Sequence, residues 1–124
     1  MRKILSYDTA SRHCFVGDSN GNITFLKLAE NGCEFKATLN GHEGSIQSLA
    51  WDANKKFLFS GSNDKTIIVW DIGSQKGITY DLDGHKDRVQ SIIFVSLCRQ
   101  LLSGSEDSKI VIWVVNQSSK LTKK

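Results

Sequence analysis

The sequence predicts an all-β fold assembled from repeated four-stranded units. Three observations carry that prediction. A block of the chain recurs 43 residues downstream. Apolar and β-branched residues fall in short runs bounded by Gly, Ser, Asn and Asp, the punctuation of strands and turns. No stretch carries the 3.6-residue apolar period of a packed helix.

The repeat is specific. Gly41-His42 returns as Gly84-His85, and Phe59-Ser60-Gly61-Ser62 as Leu102-Ser103-Gly104-Ser105. Asp64 returns as Asp107 and Trp70 as Trp113. Aligning 41–70 on 84–113 without a gap gives 11 identities in 30 positions. A weaker copy lies upstream at an offset of 44: Tyr7-Asp8 matches Trp51-Asp52, Phe15-Val16-Gly17 matches Phe59-Ser60-Gly61, and Ile23 matches Ile67. Only 4 of 20 positions agree between 7–26 and 51–70, and the extra residue is expected in the loop after Leu26.

Each unit divides into strands. Ile46 to Trp51 and Val89 to Phe94 read as first strands. Phe57 to Ser60 and Leu101 to Ser103 read as second strands, closed by Gly-Ser-x-Asp turns. Thr66 to Trp70 and Lys109 to Val115 are third strands, whose unbroken apolar runs predict burial on both faces. Phe35 to Leu39 and Ile78 to Leu82 are outer strands.

A period near 43, opened by Gly-His and closed by Trp-Asp, is the pattern of WD repeats. It stands here as Gly41-His42 with Trp70-Asp71 and Gly84-His85 with Trp113-Val114, the last Asp being replaced. The sequence therefore resembles the WD-repeat superfamily, which implies a partial β-propeller of about three four-stranded blades. The blades are expected at about 1–40, 41–83 and 84–115, with a basic C-terminal tail over 116–124. A closed propeller has about 4–8 blades, so the chain reads as a fragment. Its first strand is expected to be cut short, and its third blade to lack an outer strand. Two unfilled faces would then expose apolar side chains, and open strand edges invite self-association.

Charge and cysteine usage narrow the function. The 16 basic and 13 acidic residues give +3, and Lys120, Lys123 and Lys124 account for that excess. The body offers no clustered basic surface for nucleic acid. The tail has fewer basic residues than a polybasic membrane site needs, although direct membrane binding through it is a reading that liposomes can test. No apolar run approaches the ~18 residues of a membrane span, and Asp8 interrupts the N-terminus before a signal-peptide core forms. Three cysteines without a C-x-x-C pair predict neither a disulfide framework nor a zinc site. No metal or cofactor is expected, and the compartment is expected to be the cytoplasm.

His42, Ser60 and Asp64, repeated as His85, Ser103 and Asp107, invite an enzymatic reading. A hydrolase needs one exposed nucleophile with an oxyanion hole, and the G-x-S-x-G elbow is absent. Duplication of the set along with the strands favours a structural role. The superfamily resemblance implies that His42 bonds Asp64, while Ser60 links His42 to the indole of Trp70. His85, Asp107, Ser103 and Trp113 would form the second network. Val16 and Leu26 stand where Ser and Trp belong upstream, so the first blade lacks it.

Three stretches carry a closer resemblance: Arg12-His13-Cys14-Phe15-Val16-Gly17-Asp18, Phe59-Ser60-Gly61-Ser62 with Trp70-Asp71-Ile72-Gly73 and Lys76-Gly77, and Gly84-His85-Lys86-Asp87-Arg88-Val89-Gln90. They resemble the WD-repeat and FYVE-domain-containing proteins. That resemblance implies a non-catalytic adaptor on early endosomes, where a FYVE finger reads phosphatidylinositol 3-phosphate and the propeller recruits signalling partners. The FYVE finger's paired cysteines are absent from these residues, so a membrane link would require a FYVE domain outside this chain. The alternatives are a WD-repeat complex subunit unrelated to endosomes and, more remotely, a serine hydrolase on Ser60 or Ser103. Partner contacts are expected on the rim holding the Gly-His loops and Gly-Ser-x-Asp turns. They are Glu43, Ser45 and Asn63 in one blade, and Lys86, Arg88 and Glu106 in the next. Arg88 leads because arginine is enriched at binding hot spots.

Overall fold

The computed structural model describes residues 4–72, 76–81, 89–105, 110–116 and 121–123. They form three four-stranded antiparallel sheets, each a meander of consecutive strands. The first holds β1 (Ile4–Asp8), β2 (His13–Gly17), β3 (Asn22–Ala29) and β4 (Gly32–Asn40). The second holds β5 (Ile46–Asp52), β6 (Phe57–Ser62), β7 (Thr66–Asp71) and β8 (Lys76–Asp81). The third holds β9 (Val89–Val95), β10 (Gln100–Ser105), β11 (Ile110–Val115) and β12 (Leu121–Lys123). This is the all-β, blade-by-blade architecture that the repeat predicts.

The turns explain why the chain folds back where it does. Between β1 and β2, Asp8 accepts from the Ala10 N–H and the Ser11 hydroxyl, and Arg12 adopts a left-handed φ of 62°. Asp52 caps the β5–β6 turn through the Asn54 and Lys55 N–H groups, and Lys56 takes φ 60°. Arg99 takes φ 52° at the matching place in the third sheet. In all three sheets the carbonyl of this left-handed residue accepts an N–H from the end of the third strand or just beyond it. The donors are Leu28, Ile72 and Val115, at 2.9, 3.3 and 2.8 Å. In the first sheet the register shifts between Phe25 and Leu26, where one residue of β4 is left over. The extra residue, expected in the loop after Leu26, is instead taken up as a bulge within β4.

Apolar side chains hold the sheets face to face. Phe15, Ile23, Phe25 and Leu39 pack against Ile46, Leu58, Ile68 and Trp70. On its other face the second sheet offers Phe59, Ile67 and Val69 to Val89, Leu101, Val111 and Trp113. Strand β7 is therefore buried on both faces, as its unbroken Ile67-Ile68-Val69-Trp70 run predicts. Strand β11 departs from that expectation. Its residues alternate between exposed and buried, because among the described residues no sheet covers its outer face.

One further expectation is corrected. The third blade does not lack its outer strand: Leu121–Lys123 pairs with Trp113–Val115, and Leu121 is buried. Part of the supposed basic tail is thus a strand, because Leu121 fits the blade joint while Thr122 stays exposed. In the first sheet the described strand β1 has five residues, all paired with β2, against seven in β5 and in β9.

Candidate functional site

The Gly-His loop of the second sheet lies between β4 and β5. His42 is buried there, with its Nδ1 3.0 Å from Asp64 Oδ2 and its Nε2 2.7 Å from Ser60 Oγ. The Trp70 indole N–H donates to the same Ser60 Oγ at 2.8 Å. These distances fix the proton positions. Asp64 as a carboxylate only accepts, so His42 carries its proton on Nδ1. In the neutral ring Nε2 then accepts the Ser60 hydroxyl proton, and Ser60 accepts from Trp70.

Asp64 is the hub of the loop. Its Oδ2 also takes the Glu43 N–H at 2.9 Å, and its Oδ1 takes the Thr66 hydroxyl and the Thr66 N–H at 2.5 and 3.0 Å. Burial opposes its ionisation. The hydrogen bonds from His42, Thr66 and the Glu43 N–H outweigh that cost and hold the carboxyl well below its ordinary range.

The order Asp64–His42–Ser60 has the connectivity of a catalytic triad. The nucleophile's place differs: Ser60 is 0% exposed, and its oxygen already receives the Trp70 indole. Substrate has no path to that oxygen. In the third sheet the Trp113 indole donates to the buried Ser103 Oγ at 3.0 Å. His85 and Asp107 lie outside the described residues.

The same bonds draw part of the predicted rim together. The Asn63 N–H donates to the Ser45 carbonyl at 3.0 Å, and Gly44 packs tightly beside Asn63 and Asp64. Glu43, Ser45 and Asn63 are thus neighbours on one edge. Beside them Gly41, Glu43, Asp64 and Thr66 line an open depression of about 290 Å³. Lys86, Arg88 and Glu106 lie outside the described residues.

The opposite edge holds contacts that motif reading missed. The Trp51 indole reaches across the first joint to Asp8 at 2.8 Å. Arg99 reaches across the second to Asp52 at 2.6 Å, and Asp52 is 1% exposed. The signal was present in the alignment of Tyr7-Asp8 with Trp51-Asp52, which puts an acid at the same repeat position twice. Between these edges the Ser48 hydroxyl accepts the Ile92 N–H of the next sheet at 2.9 Å. Thr66 escaped notice because Lys109 replaces it in the next copy.

Repeated four-stranded sheets, the second and third each carrying a Ser–Trp bond behind a Gly-Ser turn, define a WD-repeat protein. The family described as "WD domain, G-beta repeat" matches residues 33–71 and 76–114, and the chain belongs to it. Among curated relatives, WD repeat and FYVE domain-containing protein 1 of Mus musculus is 53% identical over 75 residues. That match covers 60% of this chain and 18% of the relative. WD repeat and FYVE domain-containing protein 2 of Homo sapiens is 44% identical over 78 residues, covering 63% and 20%. WD repeat protein iqw1 of Schizosaccharomyces pombe is 42% identical over 55 residues, covering 44% and 6%. The chain thus spans a fifth or less of the length of these relatives.

Proposed function

We propose that this chain is a non-catalytic protein-binding scaffold that presents its Gly-His rim to partners. One observation carries the reading: the Asp64 carboxylate ties the Glu43 backbone to the β6–β7 turn. Glu43, Ser45 and Asn63 are thereby preset, and a rigid loop binds with less ordering cost than a mobile one. A buried hydroxyl shared by His42 and Trp70 serves this positioning task and suits no nucleophile.

The relationship to proteins named for a FYVE domain supports a role in an endosomal adaptor, with signalling proteins as partners. Membrane attachment would then belong to a FYVE domain outside this chain, and the propeller part would supply protein contacts. The reading includes no nucleic acid, no cofactor and no metal.

The rim is tested by affinity capture from cells with wild type and a Glu43→Ala/Asn63→Ala/Arg88→Ala variant. The expected result is selective loss of a reproducible set of wild-type partners at unchanged circular dichroism. Capture of the same set by both would remove the rim from the reading. Endosomal placement is tested separately by imaging the full gene product with an early-endosome marker. A diffuse signal would favour a WD-repeat complex subunit unrelated to endosomes.

A further inference from the structure

The joint between the second and third sheets ends, on the edge opposite the Gly-His loop, in a depression of about 340 Å³. Asn54 and Lys55 of the β5–β6 turn line one side of it, and Arg99, Val115 and Asn116 of the third sheet the other. Val115 is buried and apolar, and the other four side chains can all donate hydrogen bonds. Among the described residues no carboxylate lines it. An apolar contact with a few converging polar groups is the ordinary make-up of a binding pocket, and donors of this kind select an anion.

The arginine in its wall is held in one place. Phe94 has the repeat position of Trp51 and lacks an indole N–H. The acid that Trp51 satisfies at the first joint is therefore satisfied at the second by Arg99, which donates to Asp52 at 2.6 Å. The guanidinium also donates to the Asn116 carbonyl at 3.2 Å and lies 5.3 Å from the centre of the Phe94 ring. Contacts to three separate segments leave it little freedom, so a ligand that meets it bears little ordering cost. Asp52 offsets the Arg99 charge, but it is 1% exposed and does not line the depression. Lys55 is exposed and has no acidic partner among the described residues, which leaves the site a net cation.

A second observation points to the class of ligand. Leu97, two residues from Arg99 in the β9–β10 turn, is 99% exposed. The equivalent turn positions of the first and second sheets hold Ala10 and Asn54. A lone exposed leucine is ordinary, but one on the turn that carries Arg99 offers an apolar contact to whatever occupies the depression. A nucleic acid needs a run of phosphate contacts, and a membrane surface about four to eight basic residues. This joint supplies Lys55, Lys56 and Arg99. One cationic depression with one apolar contact beside it fits a short peptide.

We propose that this depression binds a short acidic segment of a partner protein. An Asp or Glu carboxylate of that segment meets Arg99, Lys55 and the two asparagine amides, while a neighbouring apolar side chain packs on Leu97. The surface lies on the opposite edge from the Gly-His rim. It gives the scaffold a second point of attachment that does not depend on the first.

Selection of random displayed peptides on the full gene product, followed by fluorescence anisotropy of those recovered, tests the assignment. Wild type should recover a class of peptides with Asp or Glu beside Leu, Ile or Phe. Lys55→Glu should weaken that class at least about tenfold, because like charges then meet. Replacing the peptide's acid with its amide should weaken binding to wild type by a similar factor. Leu97→Ser should weaken it about threefold, through lost apolar contact. Both side chains are exposed, so far-UV circular dichroism should be unchanged in either variant. Lys65→Glu makes the same change of charge in the exposed β6–β7 turn of the Gly-His edge and should leave binding unaltered. Equal weakening by Lys65→Glu would reduce the effect to net charge and overturn the site. So would the absence of an acidic class, or acidic peptides that bind Lys55→Glu as tightly as wild type. Binding to phosphatidylcholine–phosphatidylserine vesicles that Lys55→Glu abolishes, with no acidic peptide recovered, would overturn it in favour of a membrane surface.

Discussion

Replacing Ser60 with alanine isolates the centre of the network. Its hydroxyl is fully buried and joins two other buried groups, His42 Nε2 at 2.7 Å and the Trp70 indole at 2.8 Å. Alanine leaves both without a partner. An unpaired buried polar group costs about 1–3 kcal/mol, so the bare sum is about 2–6 kcal/mol. His42 lies under a rim loop, next to the partly exposed Asp64, so a water molecule entering from that side recovers part of the loss. The expected cost is therefore in the lower half, about 2–3 kcal/mol. Urea unfolding followed by far-UV circular dichroism reads it as a lowered midpoint at constant slope. The cycle with Trp70→Phe supplies the check. In that background the indole N–H is gone, and Ser60→Ala should cost about 1 kcal/mol less. Strict additivity, or a Ser60→Ala cost below about 0.5 kcal/mol, would refute the shared-hydroxyl reading.

Gly61 and Gly104, which share a repeat position in β6 and β10, form an internal control. Gly61→Ala forces a methyl into Val89 and should cost about 1–3 kcal/mol, whereas Gly104→Ala, with open space around it, should leave the urea midpoint of the chain within error. Arg99→Met strands the buried Asp52 carboxylate and should cost about 3 kcal/mol; Asp52→Asn, which still accepts from the Asn54 and Lys55 N–H groups, should cost less in the same assay. The native fold holds Asp64 in its charged form, below its ordinary value of 3.8. Its stabilisation is then complete above that value and is lost as pH falls below it. Thermal melts between pH 6 and 3 should show Asp64→Asn losing less stability on acidification than wild type.

Strand placement was legible because the blades repeat one cue, a Gly-Ser turn (Gly-Asp in the first) followed by β-branched residues. Ile67 to Trp70 needed no alignment, since an unbroken apolar run between turns has few other solutions. Strand β12 was hidden: Leu121 stands as a lone apolar residue among Ser, Thr and Lys, and only its packing into the joint reveals it. The joints were hidden for a different reason. Asp8–Trp51, Asp52–Arg99 and Ser48–Ile92 each link positions roughly one repeat apart, and different residue pairs serve the two joints. A repeat alignment displays what is equivalent between blades, whereas a joint depends on what is opposite. Of the site, the His42–Ser60–Asp64–Trp70 contacts were implied by resemblance, and the structure adds Thr66 and the Glu43 backbone.

The first sheet shows what the network is for. It has Val16 where the second sheet has Ser60 and Leu26 where the second has Trp70. It nevertheless forms the same four-strand meander, with Arg12 left-handed and its carbonyl bonded to Leu28 as Lys56 is to Ile72. Blade geometry is therefore held by turn bonds and by the apolar face, here Phe15 and Phe25 stacked at 5.1 Å. Replacing both polar partners with apolar groups costs a blade little, whereas removing one leaves the other stranded. The network's distinct effect falls on the loop above it. The second sheet's Asp18 counterpart is Ser62, and the turns differ accordingly. Asp18 accepts the Asn20 and Asn22 N–H groups within its own turn. Asp64 instead reaches out of its turn to His42 and Glu43. The Asp18 carboxylate serves its own turn, whose Asp18 carbonyl takes the Ile46 N–H of the next sheet at 3.0 Å, whereas the Asp64 carboxylate itself holds the neighbouring loop in place.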